Sequence, residues 1–164
     1  MPVASRDVDA LDPLPDSKLK EEDQAYLERH GIDKLLTDLM SNMVQLKPQD
    51  PLQYIIDTLQ FGSQFAMQEP GTGLPEHRKG KLLDLFRVID TDNRGKISLQ
   101  SLEAYTRKYG GTCISQQDLA SMFTDFRPGQ DNLVTQREFL VFFSKVSKAM
   151  PNAAFDELIR DLMA

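Results

Sequence analysis

Residues 26–59 read YLERHGIDKLLTDLMSNMVQLKPQDPLQYIIDTL. From Ile32 to Leu46 neither proline nor glycine interrupts the chain, and apolar residues recur at three- and four-residue spacing, the period of a helix. On a helical wheel Ile32, Leu35, Leu36, Leu39, Met40, Met43, Val44 and Leu46 fall within one arc of roughly 180°, whereas a helix resting on a single core needs a stripe nearer 100°. Lys34, Thr37, Asp38, Ser41, Asn42 and Gln45 fill the other side. KPQDP (47–51) then stops the helix. Pro48 cannot continue it, Asp50 is a good N-cap, and Pro51 stands where a new helix prefers proline. The second helix, LQYIIDTLQ, is expected to run as far as Phe65, with a narrow stripe of Leu52, Ile55, Ile56 and Leu59. Helices this short cannot bury so much apolar surface alone. Two arrangements satisfy them. The hairpin packs on the rest of its own chain, or two copies pair into a four-helix bundle. In the second case part of the wide face seals the dimer and part is left as a groove for a partner's amphipathic helix.

The same residues resemble the RIIa, or dimerisation/docking, domain. Tyr26-Leu27, Ile32, Leu35-Leu36, Leu39, the turn Lys47-Pro48-Gln49-Asp50-Pro51, and Leu52, Ile55, Ile56 and Leu59 carry the resemblance. It implies a module over 19–68 that dimerises as an X-type four-helix bundle and grips amphipathic helices, with Met40 and Met43 on the same docking face.

Residues 1–18 are rich in proline and aspartate and read as a flexible acidic tail, although Leu11 and Leu14 could dock on something. His30-Gly31 is expected to split a short helix, about 19–29, from the longer one. EPGTGLPEHRKG (69–80) holds three glycines and two prolines and reads as a linker. Residues 148–164 end in a short helix, AAFDELIRDLM.

Between them, 81–147 resembles a pair of EF-hands. An EF-hand loop takes ligands from positions 1, 3, 5, 7, 9 and 12, with glycine at 6. In DTDNRGKISLQS (90–101), Asp90, Asp92, Gly95, the Lys96 carbonyl and Ser98 fit. Arg94 puts a cation at position 5, and Ser101 stands at 12 in place of a bidentate glutamate. In RPGQDNLVTQRE (127–138), only Asp131, Thr135 and Glu138 are plausible oxygen ligands. Ile97 and Val134 both fall at position 8, where paired EF-hands share a short strand contact. The fold pattern is strong and the metal pattern poor, so no metal or other cofactor is expected; Asp90, Asp92, Lys96 and Ser98 are the weak candidates. Phe86, Phe123, Phe139, Phe142 and Phe143 recur at helical spacing and read mostly as packing. FLVFF is denser than one face requires, which makes Phe123, Phe139, Phe142 and Phe143 candidates to line a groove. Its occupant is a target helix or the chain's own AAFDELIRDLM.

The 164 residues carry a formal charge of -6, which argues against a nucleic-acid binder and against an anionic membrane surface. No apolar run reaches the length of a membrane span, and the acidic N-terminus does not read as a signal peptide. The single cysteine, Cys113, excludes an intramolecular disulfide framework and fits a reducing compartment. Neither His30 nor His77 is near it in sequence, so no nucleophile and base are apparent and no enzyme is expected.

The class expected is all-α: a two-helix module, an EF-hand pair and a terminal helix. That order resembles the EF-hand calcium-binding domain-containing protein 10 family and RIIa-bearing ciliary radial-spoke proteins. The resemblance implies a docking subunit in the cytoplasm or the axoneme of a cilium. It would form a homodimer, or a heterodimer with another RIIa-like chain, and clamp an amphipathic helix of an axonemal subunit. The rival expectation is a calcium-responsive EF-hand adaptor.

Overall fold

The computed structural model describes residues 16–109 and 116–164. Leu11, Leu14, Cys113 and most of the expected acidic tail lie outside them. The chain divides into two compact units, Met1–Leu46 and Lys47–Ala164. Among the described residues it is all-α apart from one pair of two-residue strands.

In the first unit, α1 spans Asp16–His30 and α2 spans Ile32–Leu46. The break falls at Gly31, whose φ of +62° is left-handed and suits a residue without a Cβ. Tyr26 and His30, one turn apart, bring their rings to 4.5 Å, and Lys34 pairs with Asp38 at 2.7 Å on the solvent side.

The second unit opens with α3, Pro51–Phe61. Asp50 caps it as its residue type requires: its carboxylate accepts the Gln53 N–H at 3.0 Å, and Pro51 follows. The helix stops short of the expected Phe65. Gly62, at φ +94°, breaks it, and a single turn, α4 (Ser63–Ala66), follows.

The boundary between the units corrects two expectations. It falls inside the 19–68 module, and the 69–80 stretch is no linker. Gln68 and Pro75 form a β-bridge, the Glu69 N–H donates to the Leu74 carbonyl at 2.9 Å, and Leu74 is buried. Glycines there supply turns, and the apolar Leu74 anchors the loop. Helix α5 already begins at Glu76 and runs to Ile89.

From α5 the chain runs helix, short strand, helix, and then repeats that order. Strand β1 (Lys96–Ile97) leads into α6 (Leu99–Tyr109); α7 (Gln116–Asp125) is followed by β2 (Val134–Thr135) and α8 (Gln136–Ser147). The strands are antiparallel, with Ile97 opposite Val134, the two residues that share position 8. Leu82, Leu85, Phe86, Ile89, Phe123, Phe126, Phe139 and Phe143 form the core between the helices. Phe86 meets Phe139 edge-to-face at 5.4 Å, a favoured geometry for aromatic pairs. Helix α9, Asn152–Met163, closes the unit.

Candidate functional site: the paired loops and the docked C-terminal helix

Loop one, residues 90–101, departs from the expected ligand set at Arg94 and Ser101. Asp90, at position 1, is buried, and its carboxylate accepts the Arg94 N–H at 3.1 Å and the Gly95 N–H at 2.7 Å. Gly95 makes the position-6 turn at φ +71°. Arg94 lies 3.8 Å from the Asp92 carboxylate, so the cation at position 5 faces the acid at position 3. Ser98 caps α6: its Oγ accepts the Ser101 N–H at 3.0 Å and lies 2.9 Å from the Ser101 Oγ. Lys96 sends its side chain across to the second loop, where its ammonium meets Asp131 at 2.5 Å. That hydrogen bond, followed by the Leu133 N–H, holds the Asp131 carboxyl below its usual range.

Loop two has no glycine at its position-6 turn. Asn132 takes the position-6 turn at φ +57°. Glu138, the natural position-12 ligand, is bound up in a capping box: its Oε2 accepts the Thr135 N–H at 2.8 Å and the Thr135 hydroxyl at 3.0 Å. Among the described residues no group of three His, Cys, Asp or Glu side chains is placed to hold a metal ion. The residues of the two loops do not fit a calcium shell, which needs six to eight oxygens and a bidentate acid.

The phenylalanines expected to line a groove lie mostly inside the core. Phe123, Phe139 and Phe143 are buried, and Phe142 is half-buried. Their cluster belongs to the same core as Phe155 and Ile159 of α9. Phe155 is fully enclosed, the Arg78 guanidinium carbon lies 4.9 Å over its ring, and Lys81 pairs with Asp156 at 2.6 Å. At the far end the Tyr105 hydroxyl donates to the Leu162 carbonyl. Burial, then the nearby Tyr109, push the Tyr105 hydroxyl above its ordinary value. An apolar cavity of about 120 Å³ survives between Tyr105, Phe143 and Leu162. Helix α9 thus shares one core with the phenylalanines and packs chiefly against α5.

A buried polar cluster fixes the start of α9, and nothing in the local sequence announces it. Asp57 of α3 is fully buried. Its Oδ1 accepts from Asn152 Nδ2 at 2.7 Å and from Gln53 Nε2 at 2.8 Å, and His77 Nε2 stands 3.2 Å away. Burial pushes the Asp57 carboxyl up, but the groups facing it, His77, Asn152 and Gln53, outweigh that and hold it below its usual value. Arg78 is buried beside them. It donates to the Ser147 and Met150 carbonyls, each at 2.6 Å, and to Asn152 Oδ1 at 2.7 Å, satisfying carbonyls at the buried C-terminal end of α8 and just beyond it. His77 was expected in a linker; it lies on α5, with its side chain nearly enclosed.

The expected docking residues are mostly uncovered. On α2, Leu35, Leu36 and Met40 are exposed, Ile32 and Met43 half-buried, and Leu39 buried. On α3, Leu52, Ile56 and Leu59 are exposed and Ile55 half-buried. No helix of the described residues is long and apolar enough to cross a membrane.

No family model matches the chain, and no solved structure does. Centrin-3 of Homo sapiens and centrin-3 of Mus musculus, an EF-hand protein, are each 31% identical to it over 64 residues. The match covers 39% of this chain, which spans 38% of the length of those curated relatives. This weak local similarity supports an EF-hand-like region. The RIIa and radial-spoke resemblance finds no support in these comparisons.

Proposed function

We propose that the chain is a non-catalytic EF-hand adaptor, a protein-binding module whose EF-hand pair is closed on its own C-terminal helix without calcium. The observation that carries this is the combination of paired position-8 strands with loops whose acids are engaged by protein groups. Asp90 accepts backbone N–H groups, Asp131 accepts Lys96, and Glu138 caps α8. The similarity to centrin-3 supports an EF-hand adaptor over the radial-spoke assembly role that the RIIa resemblance implies. For catalysis the support is negative in kind: Asp57 and His77, the one close acid–imidazole pair among the described residues, are closed inside the protein away from any substrate.

Cross-linking mass spectrometry with the full chain as bait tests the adaptor reading. It predicts partner peptides linked to defined surfaces of this chain, retained in chelator. Absence of any saturable protein partner overturns it.

A calcium-switched adaptor is the second reading, and the similarity to centrin-3 is what favours it. It predicts partner retention that differs between calcium and chelator. Self-association, or pairing with another chain of the same kind, is assigned to the exposed α2 face. Leu36→Glu with Met40→Glu should then reduce the sedimenting mass of the full chain.

A further inference from the structure

With α9 packed into the core, a partner needs another surface. One lies on the outer side of α8. A groove of about 840 Å³ runs between the end of α7 and α8, a size that admits several side chains of a ligand. Its floor is Phe126, Val141, Phe142 and Val146. Phe142 is half-buried and Val146 is 48% exposed. From Arg137 to Val146 it follows α8 for about 13 Å at 1.5 Å per residue, some two and a half turns. An occupant lying along it presents anchors at helical spacing.

The rim carries a charge unlike that of the chain as a whole. Arg127, Arg137 and Lys145 line the groove and are exposed, in a chain of net charge -6. Several cations elsewhere are matched: Lys79 with Glu69, Lys81 with Asp156, Arg87 with Asp84, Lys96 with Asp131. Arg127, Arg137 and Lys145 form no ion pair among the described residues. The groove's own acids are Asp125 and Glu138, and Glu138 is engaged in its capping box.

Resting on the adaptor reading, we propose that this groove docks an amphipathic helix of a partner protein whose apolar anchors are flanked by acidic residues. The apolar floor takes the anchors, and Arg127, Arg137 and Lys145 select the flanking carboxylates. Complementary rim charges contribute modestly one by one and set specificity and encounter rate.

The test uses the full chain and two labelled peptides of about 18 residues, long enough to form a helix. Both carry leucines at helical spacing; one is flanked by glutamates, its twin by lysines. Fluorescence anisotropy should show the glutamate peptide binding about tenfold more tightly than the lysine twin, with the preference weakening as salt rises. Arg137→Glu with Lys145→Glu should reverse the preference, with circular dichroism confirming the fold; Val146→Ser should weaken both peptides. Equal or tighter binding of the lysine twin to the unaltered chain overturns the proposal. If the glutamate peptide binds the reversed variant unchanged, the groove is not the site while the adaptor reading stands. If neither peptide binds, the groove proposal falls and the cross-linking result alone decides the adaptor reading. A drop in sedimenting mass on charge reversal would make the occupant a second copy of this chain and likewise overturn the proposal.

Discussion

The Lys96 ammonium lies 2.5 Å from the Asp131 carboxylate, so the two loops whose spacing resembles that of EF-hands are joined by a side-chain cation. Lys96 stands at position 7 of the first loop and Asp131 at position 5 of the second. The pair is solvent-facing, and its consequence is read most cleanly in titration. Asp131 sits below the ordinary carboxylate value, chiefly because of Lys96. The pairing is present above that ordinary value, about 3.9, and is lost as pH falls through the depressed one. In Lys96→Gln the Asp131 carboxyl should titrate closer to the ordinary value, as followed by carboxyl-carbon NMR. An unmoved titration would show that Lys96 does not hold it.

The loop chemistry is also reversible by design. Arg94→Asp with Ser101→Glu supplies position 5 and the bidentate position 12 on a backbone that already makes the Gly95 turn. The double variant should bind calcium in the sensor range, roughly 0.1–10 µM, where the unaltered chain does not. Calorimetric titration of both proteins checks it. A variant that stays as weak as its parent would place the defect in the backbone instead of the ligands.

Asp57 is the keystone of the polar cluster at the start of α9. Asp57→Ala leaves the Gln53 and Asn152 donors short of an acceptor in a buried place and should destabilise the chain by about 2–3 kcal/mol. Asp57→Asn keeps an acceptor and should cost less. The folded carboxyl is depressed, so its contribution is present above the ordinary carboxylate value and is lost as pH falls through the depressed one. Asp57→Asn should therefore flatten part of the acid-side fall in melting temperature. An unchanged acid profile would mean that the charge of Asp57 adds nothing.

Phe155 measures how firmly α9 belongs to the core of the second unit. Its side chain is fully enclosed, so Phe155→Ala should destabilise the unit by about 3–5 kcal/mol. Tyr105→Phe, which removes the bond to the Leu162 carbonyl, should cost only about 1 kcal/mol. Chemical denaturation resolves the two. A Phe155→Ala loss no larger than that of Tyr105→Phe would mean that α9 is not part of the core.

Local rules made much of this fold legible. The cap at Asp50 and the break at Gly31 each follow from residues within a turn of one another, and the meeting of Ile97 with Val134 follows from their matching positions in two similar loops. The contacts that escaped are long-range. Nothing in the sequence near Asp57 reveals Asn152, its partner 95 residues away, or marks His77 as buried. Glycine and proline at 69–80 looked like a linker because they signal turns, and turns can be packed when a Leu74 is there to bury. The break at Gly62 was readable, since glycine is a known helix breaker, and was overridden by the apolar residues beyond it. At the loops, the missing ligands were evident from residue type. That Lys96 bridges to Asp131, and that Glu138 turns back to cap α8, required the fold.

The central claim is that the EF-hand pair is closed on α9 without calcium. Isothermal titration of calcium into the chelator-stripped full chain at near-physiological salt tests it most directly. The account predicts no saturable site tighter than about 10 µM, the limit of the sensor range. A tighter site, lost on Asp90→Asn, would contradict it.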